Sequence, residues 1–264
     1  MFLQEVFDQF KHGELAQIEI GSGNGGEILE QDMPKLLSNI NLALTAIYTR
    51  FFLKEGRLRV QLQSSKNYYT LDPTYSVSNT KSRIPLGDRH ILDTTGDRFI
   101  GDLYKVERVF AIKDSVRGEE LPLNDDDEYL SLMTPTMLSL FVPTAIVNSI
   151  GGGTGTGTGQ VEVPEAWRTA QLEVLYRAGH PKIRFGDGDF DPERVTIELP
   201  ETHLEPLLYF VASRIHNPIG MTNEFHAGNN FAARYEAVCA ALEGKGMQIE
   251  RFGKQNLFQA RGFV

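Results

Sequence analysis

The sequence predicts an α+β protein: an antiparallel helical bundle built from N- and C-terminal helices, with an inserted antiparallel β region and a C-terminal arm. Three observations carry this expectation. Apolar residues recur at helical spacing toward both ends of the chain, the stretch between them alternates with the period of a strand, and the two kinds of signal are segregated rather than interleaved as βαβ units would be. The expected boundaries are an N-terminal segment over 1–31, a helical bundle from 32–56 plus 200–244, a β-rich insertion with flexible loops over 57–199, and a docking arm over 245–264.

The first helix is expected from about 33 to 54. Asp32 suits the N-cap and Pro34 falls in the first turn, where its missing N–H breaks no bond. Leu37, Ile40, Leu44, Ile47, Tyr48 and Phe51 then recur at helical spacing as a core-facing stripe, Lys54 suits the C-terminus, and Gly56 suits the residue just beyond it. Strand alternation follows at Leu58, Val60 and Leu62. "LYKVERVFAIKD" (103–114) is the next strand, with a turn at Arg117-Gly118, and "QLEVLYRAG" (171–179) and "RVTIEL" (194–199) are two more. The stretch 76–101 gives no regular signal, although it is longer than most structureless connections.

Toward the other end, Thr202-x-x-Glu205 reads as a capping box. Leu204, Leu207, Leu208, Val211 and Ile215 share one helical face, and Pro218 stops the helix. Phe231, Tyr235, Val238, Cys239 and Leu242 form a second stripe ending at Gly244. The short connection predicts an antiparallel hairpin, and the helix at 33–54 is its expected third partner.

At 264 residues the chain can bury a sizeable core. Its single cysteine, Cys239, excludes a disulfide framework and any multi-cysteine metal site. No apolar run approaches the roughly 20 residues that cross a bilayer, so no membrane is expected. The N-terminus is acidic where an export signal is basic, which predicts synthesis in a reducing cytoplasm. The net charge of −9 disfavours grip on nucleic acid. That charge is uneven: Lys245, Arg251, Lys254 and Arg261 stand against Glu250 in the last twenty residues, a local +3 that leaves −12 on the remainder.

Several motifs imitate binding sites. Gly21-Ser22-Gly23-Asn24-Gly25-Gly26 fits G-x-G-x-x-G, but the helix should open at the third glycine, whereas the cap signal is Asp32 and no further βαβ unit follows. The glycines of 151–159 have neither that spacing nor a G-K-[ST] ending, and read as a loop tip. Asp187, Asp189, Asp191 and Glu198 imitate a calcium loop, yet Pro192 stands where glycine must turn. "NDDDE" (124–128) reads as a solvated acidic loop, the six histidines lack metal-ligand spacing, and no G-x-S-x-G is present. No catalytic, cofactor-binding or metal-binding residues are expected, and the protein is not expected to be an enzyme. A nucleotide-binding enzyme using Gly21–Gly26 is the alternative from a different class.

"YKVERVFAIKDSVRGEELPLNDDDEY", then "LEVLYRAGHPKI" and "RVTIELPETHLEPLLYFVASRIHNP…NNFAARYEAVCAALEGKG", resemble the strands and closing helical hairpin of head-to-tail adaptor proteins of tailed bacteriophages (connector, tail-tubular-A-like). "DMPKLLSNINLALTAIYTRFFLKEGRLRVQL" is similar to their opening helix and strand, so the resemblance covers about residues 30–245 in order. It implies a structural virion protein at the neck between capsid and tail. There a homo-oligomeric ring, usually of twelve copies, meets the portal protein and the tail nozzle or tail tube, seals the neck and conducts DNA during ejection without binding it specifically. Another neck ring, such as a tail terminator, is the nearest alternative. The tail supplies Arg251, Phe252, Lys254, Phe258, Arg261 and Phe263, types that anchor interfaces, and is expected to dock on the portal or a neighbouring subunit.

Overall fold

The computed structural model describes residues 1–13, 28, 30–126, 128–150, 162–186, 190–216 and 222–249, with side chains of the last stretch from 228 onward. These form two units, Met1–Leu53 with Ile183–Val264, and Lys54–Lys182.

In the first unit, Leu3, Val6, Phe7 and Phe10 sit three and four residues apart, and Leu3–His12 is a helix (α1) that buries all four. Helix α2, Met33–Arg50, buries Leu36, Leu37, Ile40, Leu44, Ile47 and Tyr48. It stops four residues before the expected end because Phe51 turns extended while its N–H still bonds Ile47 O. The chain re-enters this unit at Ile183, whose N–H and carbonyl pair with the Asn41 amide at 2.9 Å each. Residues 194–199 are not the expected strand. They run extended beside the N-terminus through a single bridge, Phe2 to Thr196, flanked by Leu3 N–H to Val195 O and Ile197 N–H to Met1 O. Ile197 and Leu199 of this segment are buried.

A 3₁₀ turn, Glu201–His203, leads directly into α4, Leu204–Ile215. Thr202 therefore caps no helix; its hydroxyl lies 3.0 Å from His203 Nδ1. Pro206 falls in the first turn, where it is tolerated. The final helix here, α5, is Thr222–Gly244. It runs antiparallel to α4, with Phe231 beside Tyr209 and His216, and Tyr235 edge-on to Phe210.

The expected antiparallel helical bundle is corrected by this arrangement. Helix α4 touches α1, α2 and α5, and α2 meets α5 through the Arg50 ion pairs, but these helices do not close a core by themselves. Extended chain supplies part of their core: Tyr48 on α2 donates to the Glu198 carbonyl instead of meeting another helix. The protein as a whole is α+β, with a five-stranded antiparallel sheet as the centre of its second unit.

That sheet is built from β1 (Glu55–Gln61), β3 (Ile91–Leu92), β4 (Leu103–Lys113), β5 (Val116–Leu121) and β7 (Gln171–Ala178), in the order β3-β1-β7-β4-β5. The turn joining β4 to β5 is Asp114-Ser115, both at positive φ (51° and 65°), the twist-matched hairpin geometry. The expected turn at Arg117-Gly118 instead lies inside β5. Gly56 is also inside a strand, opposite Tyr176, whose ring lies across it. β2 (Tyr68–Thr70) and β6 (Ser139–Phe141) form a second pair, and β6 is followed by the short helix α3 (Thr144–Asn148). Leu58, Val60, Val109, Leu172, Val174, Tyr69, Leu140, Leu132 and Ile146 form one core between the two sheets.

The stretch 76–101 is ordered by two polar hubs. The Arg89 guanidinium donates to the carbonyls of Ile84, Asn79, Ser82 and Ser76. Asp93 accepts from Ser78 N–H and hydroxyl and from Phe99 N–H, bonds that hold its pKa down against the opposing effect of burial.

Candidate interaction surfaces

The sequence-predicted residues fall into two groups. Of the bundle-core set, Leu37, Ile40, Leu44, Ile47, Phe51, Val211, Tyr235 and Leu242 are buried, and Leu204, Leu208, Ile215, Phe231 and Val238 are half-buried. Arg251, Phe252, Lys254, Phe258, Arg261 and Phe263 lie outside the described residues, as do Gly21–Gly26, the 151–159 run, Asp187 and Asp189. Cys239 is buried, and desolvation pushes its thiol pKa up, which disfavours the nucleophilic thiolate. Among the described residues, no group of three His, Cys, Asp or Glu could hold a metal ion, and no helix is long and apolar enough to cross a membrane.

Pairing register in the large sheet places charged side chains in rows on the face opposite the core. Arg59, Glu173, Phe110 and Glu120 are successive cross-strand neighbours, and Arg57, Leu175 and Arg108 form the next row. Arg117 is ion-paired to Glu173 and Arg108 to Glu120, while both guanidinium groups stack on the Phe110 ring at 4.8 Å. This ladder shields Phe110, Ile112 and Leu175, which are almost fully buried although they point away from the core. Arg57 and Arg59 are exposed and make no ion pair with the described residues. The face offers a flat array of guanidinium donors suited to carboxylate-bearing surfaces.

The small sheet presents the opposite chemistry. Its inner face buries Tyr69 and Leu140, so its outer face carries Tyr68 directly across from Phe141, and a further bridge sets Met133 beside Phe141. Tyr68 and Met133 are 45% and 46% exposed, and the adjoining Met137 and Tyr129 reach 72% and 75%. Beside this row, Asn124 accepts from Thr134 N–H, and Asp125 N–H bonds the Ser131 hydroxyl. Asn124 and Asp125, at the start of the acidic stretch, are thereby held against the segment Ser131–Thr134 that carries Met133. Sequence reading took that loop as acidic and solvated but missed the apolar row, which exists only through pairing across strands.

Behind Tyr69 lies a buried polar cluster. His90 Nε2 donates to the Thr70 carbonyl at 2.8 Å, which leaves Nδ1 as acceptor for the Lys66 ammonium at 3.3 Å. Tyr69 and Tyr75 sit against the imidazole, and Lys66 lies 5.4 and 5.6 Å from their ring centroids. Burial lowers the pKa of both His90 and Lys66, the latter opposed by Asp88. The arrangement fixes the back of the small sheet and so stiffens the outer row.

No protein-family model matches the chain, and no curated protein matches it in sequence.

Proposed function

We propose that the protein is a structural virion component, a head-to-tail adaptor of a tailed bacteriophage. Copies form a ring, of about twelve on the pattern of the family it resembles, between the portal protein and the tail nozzle or tube. The ring seals the neck and lets the genome pass. In this role the work is done by contact surfaces rather than by a reaction. The observation that supports it most is the exposed row Tyr68–Phe141–Met133 on the outer face of the small sheet, since a contiguous apolar row on an otherwise polar surface marks a site of association. The ordered resemblance over about residues 30–245 supplies the kind of assembly. The charge of −12 outside the last twenty residues suits a DNA conduit, because a cationic lumen would hold phosphates.

Electron microscopy of particles labelled with an antibody against this chain tests the reading. Label at the neck, between portal and tail, is the expected result. Label at the tail end of that junction alone favours a tail terminator, and absence from particles overturns the virion role.

A further inference from the structure

We propose that residues 250–264 of one copy dock on the acid-rimmed apolar row of the small sheet in a second copy. The inference deepens the ring reading and rests on it only for the presence of several copies.

The receiving surface has two chemistries side by side. Tyr68 and Met133 are each close to half exposed, and the nearby Met137 more so. Methionine and tyrosine together suit such a surface, the first by adapting its shape and the second by adding rigid area. At one edge, Asp126 and Glu128 are exposed and make no ion pair with the described residues. An occupant must therefore bring apolar side chains with cations among them.

Residues 250–264, "ERFGKQNLFQARGFV", have that composition. Arg251 precedes Phe252, Lys254 stands close before Leu257 and Phe258, and Arg261 is two residues from Phe263, against the single acid Glu250. Charge also favours a second copy as the host. Two chains of net charge −9 repel each other, and this segment is the cationic element that can make their contact attractive. The segment leaves from a fixed point, because Ile249 N–H bonds the Phe52 carbonyl at 2.8 Å.

Disulfide trapping between two full-length variants tests this. Met137→Cys and Phe258→Cys chains, mixed in equal amounts under oxidised glutathione, should yield the mixed disulfide at least ten times faster than either variant yields its own dimer. The joined peptides would be identified by mass. Adding Asp126→Lys and Glu128→Lys to the first chain should slow trapping about ten-fold. Adding Arg251→Glu and Arg261→Glu to the second should then restore it. No preferential mixed disulfide, or one indifferent to these reversals, overturns the proposal. A chain carrying both cysteines that closes on itself faster than the mixed pair forms also overturns it, in favour of the chain's own tail. If trapping fails while antibody label still marks the neck, only this inference falls. If trapping succeeds and particles carry no label, the adaptor reading falls and the contact stands.

Discussion

The Arg50 guanidinium grips both carboxylate oxygens of Glu243, Nε to Oε1 at 2.7 Å and Nη2 to Oε2 at 3.4 Å, and so ties the last turn of α2 to the last turn of α5. Its remaining nitrogen, Nη1, donates to Glu236 at 2.6 Å. An acidic residue at a helix C-terminus opposes the helix dipole, and Arg50 offsets that penalty. Arg50→Met should lower the melting temperature, and the gap to the parent should narrow as salt is raised toward 1 M. Arg50→Lys should recover only part of the loss, since an ammonium cannot fork to two oxygens. The same contact holds the Glu243 pKa below its ordinary 4.5. Its stabilisation is therefore complete above that value and is lost as pH falls through the lower folded one.

Gly56 is required by the ring across the strand. A Cβ there would lie 2.2 Å from Tyr176 Cζ, and the Tyr176 hydroxyl is held by Asp102 at 3.0 Å, so the ring cannot swing aside freely. Gly56→Ala should cost about 1–3 kcal/mol in chemical denaturation. Adding Tyr176→Leu should return part of that cost, and an unchanged midpoint for Gly56→Ala would show that the ring does not confine this position.

His90 and His203 set an acid limit. Both are buried, and desolvation lowers each pKa below the ordinary 6.5. His90 faces Lys66, Tyr69 and Tyr75, and His203 faces Phe51 and Thr202. As pH falls through 6.5 the unfolded chain takes up protons that the folded chain refuses, so stability present above 6.5 declines below it. Each histidine adds a slope of up to about 1.4 kcal/mol per pH unit. His90→Gln retains a donor for the Thr70 carbonyl, and its stability should fall less steeply than the parent's between pH 7 and 5. Equal slopes would remove His90 from this account.

Arg89 is the clasp of the 76–89 loop. Arg89→Met keeps the aliphatic stem and removes the donors to Ile84, Asn79, Ser82 and Ser76. Charged hydrogen bonds are worth about 1.5–3 kcal/mol each, so local opening should rise about ten-fold or more. Limited trypsin digestion reads this directly at Lys81 and Arg83, both exposed. An unchanged cutting rate would show that other contacts hold the loop.

What the sequence made legible was local. Helix α2 announces itself because Leu37, Ile40, Leu44 and Ile47 need only their own chain to define a face. Helix α1 was equally readable in Leu3, Val6, Phe7 and Phe10, although no helix was expected over 1–31. The long strands β1, β4 and β7 also carry enough alternation to be seen. Errors arose where a distant residue decides. Gly56 reads as a helix terminator until Tyr176 covers it, and Gly118 reads as a turn until it comes against the Ala111 carbonyl, at the irregularity of a hairpin whose bend is Asp114-Ser115. Strands of two or three residues, such as Ile91–Leu92 and Tyr68–Thr70, are too short to show a period. The bundle failed for a related reason: Tyr48 finds its partner in the Glu198 carbonyl, an extended segment 150 residues away. The apolar row was hidden because Tyr68 is far in sequence from Phe141 and Met133, and the three meet only through backbone pairing.

The division of the chain has a consequence for how it is born. Lys54–Lys182 is one uninterrupted stretch, whereas the other unit joins Met1–Leu53 to everything after Ile183. On the ribosome, the β unit has all of its own strands once residue 182 has emerged, before any of α4 is exposed. The opening helices must wait through that interval, since α4, against which α1 and α2 both rest, is synthesised only after residue 203. Their apolar faces stay uncovered through that interval, so a chaperone that attends its synthesis would be engaged at α1 and α2.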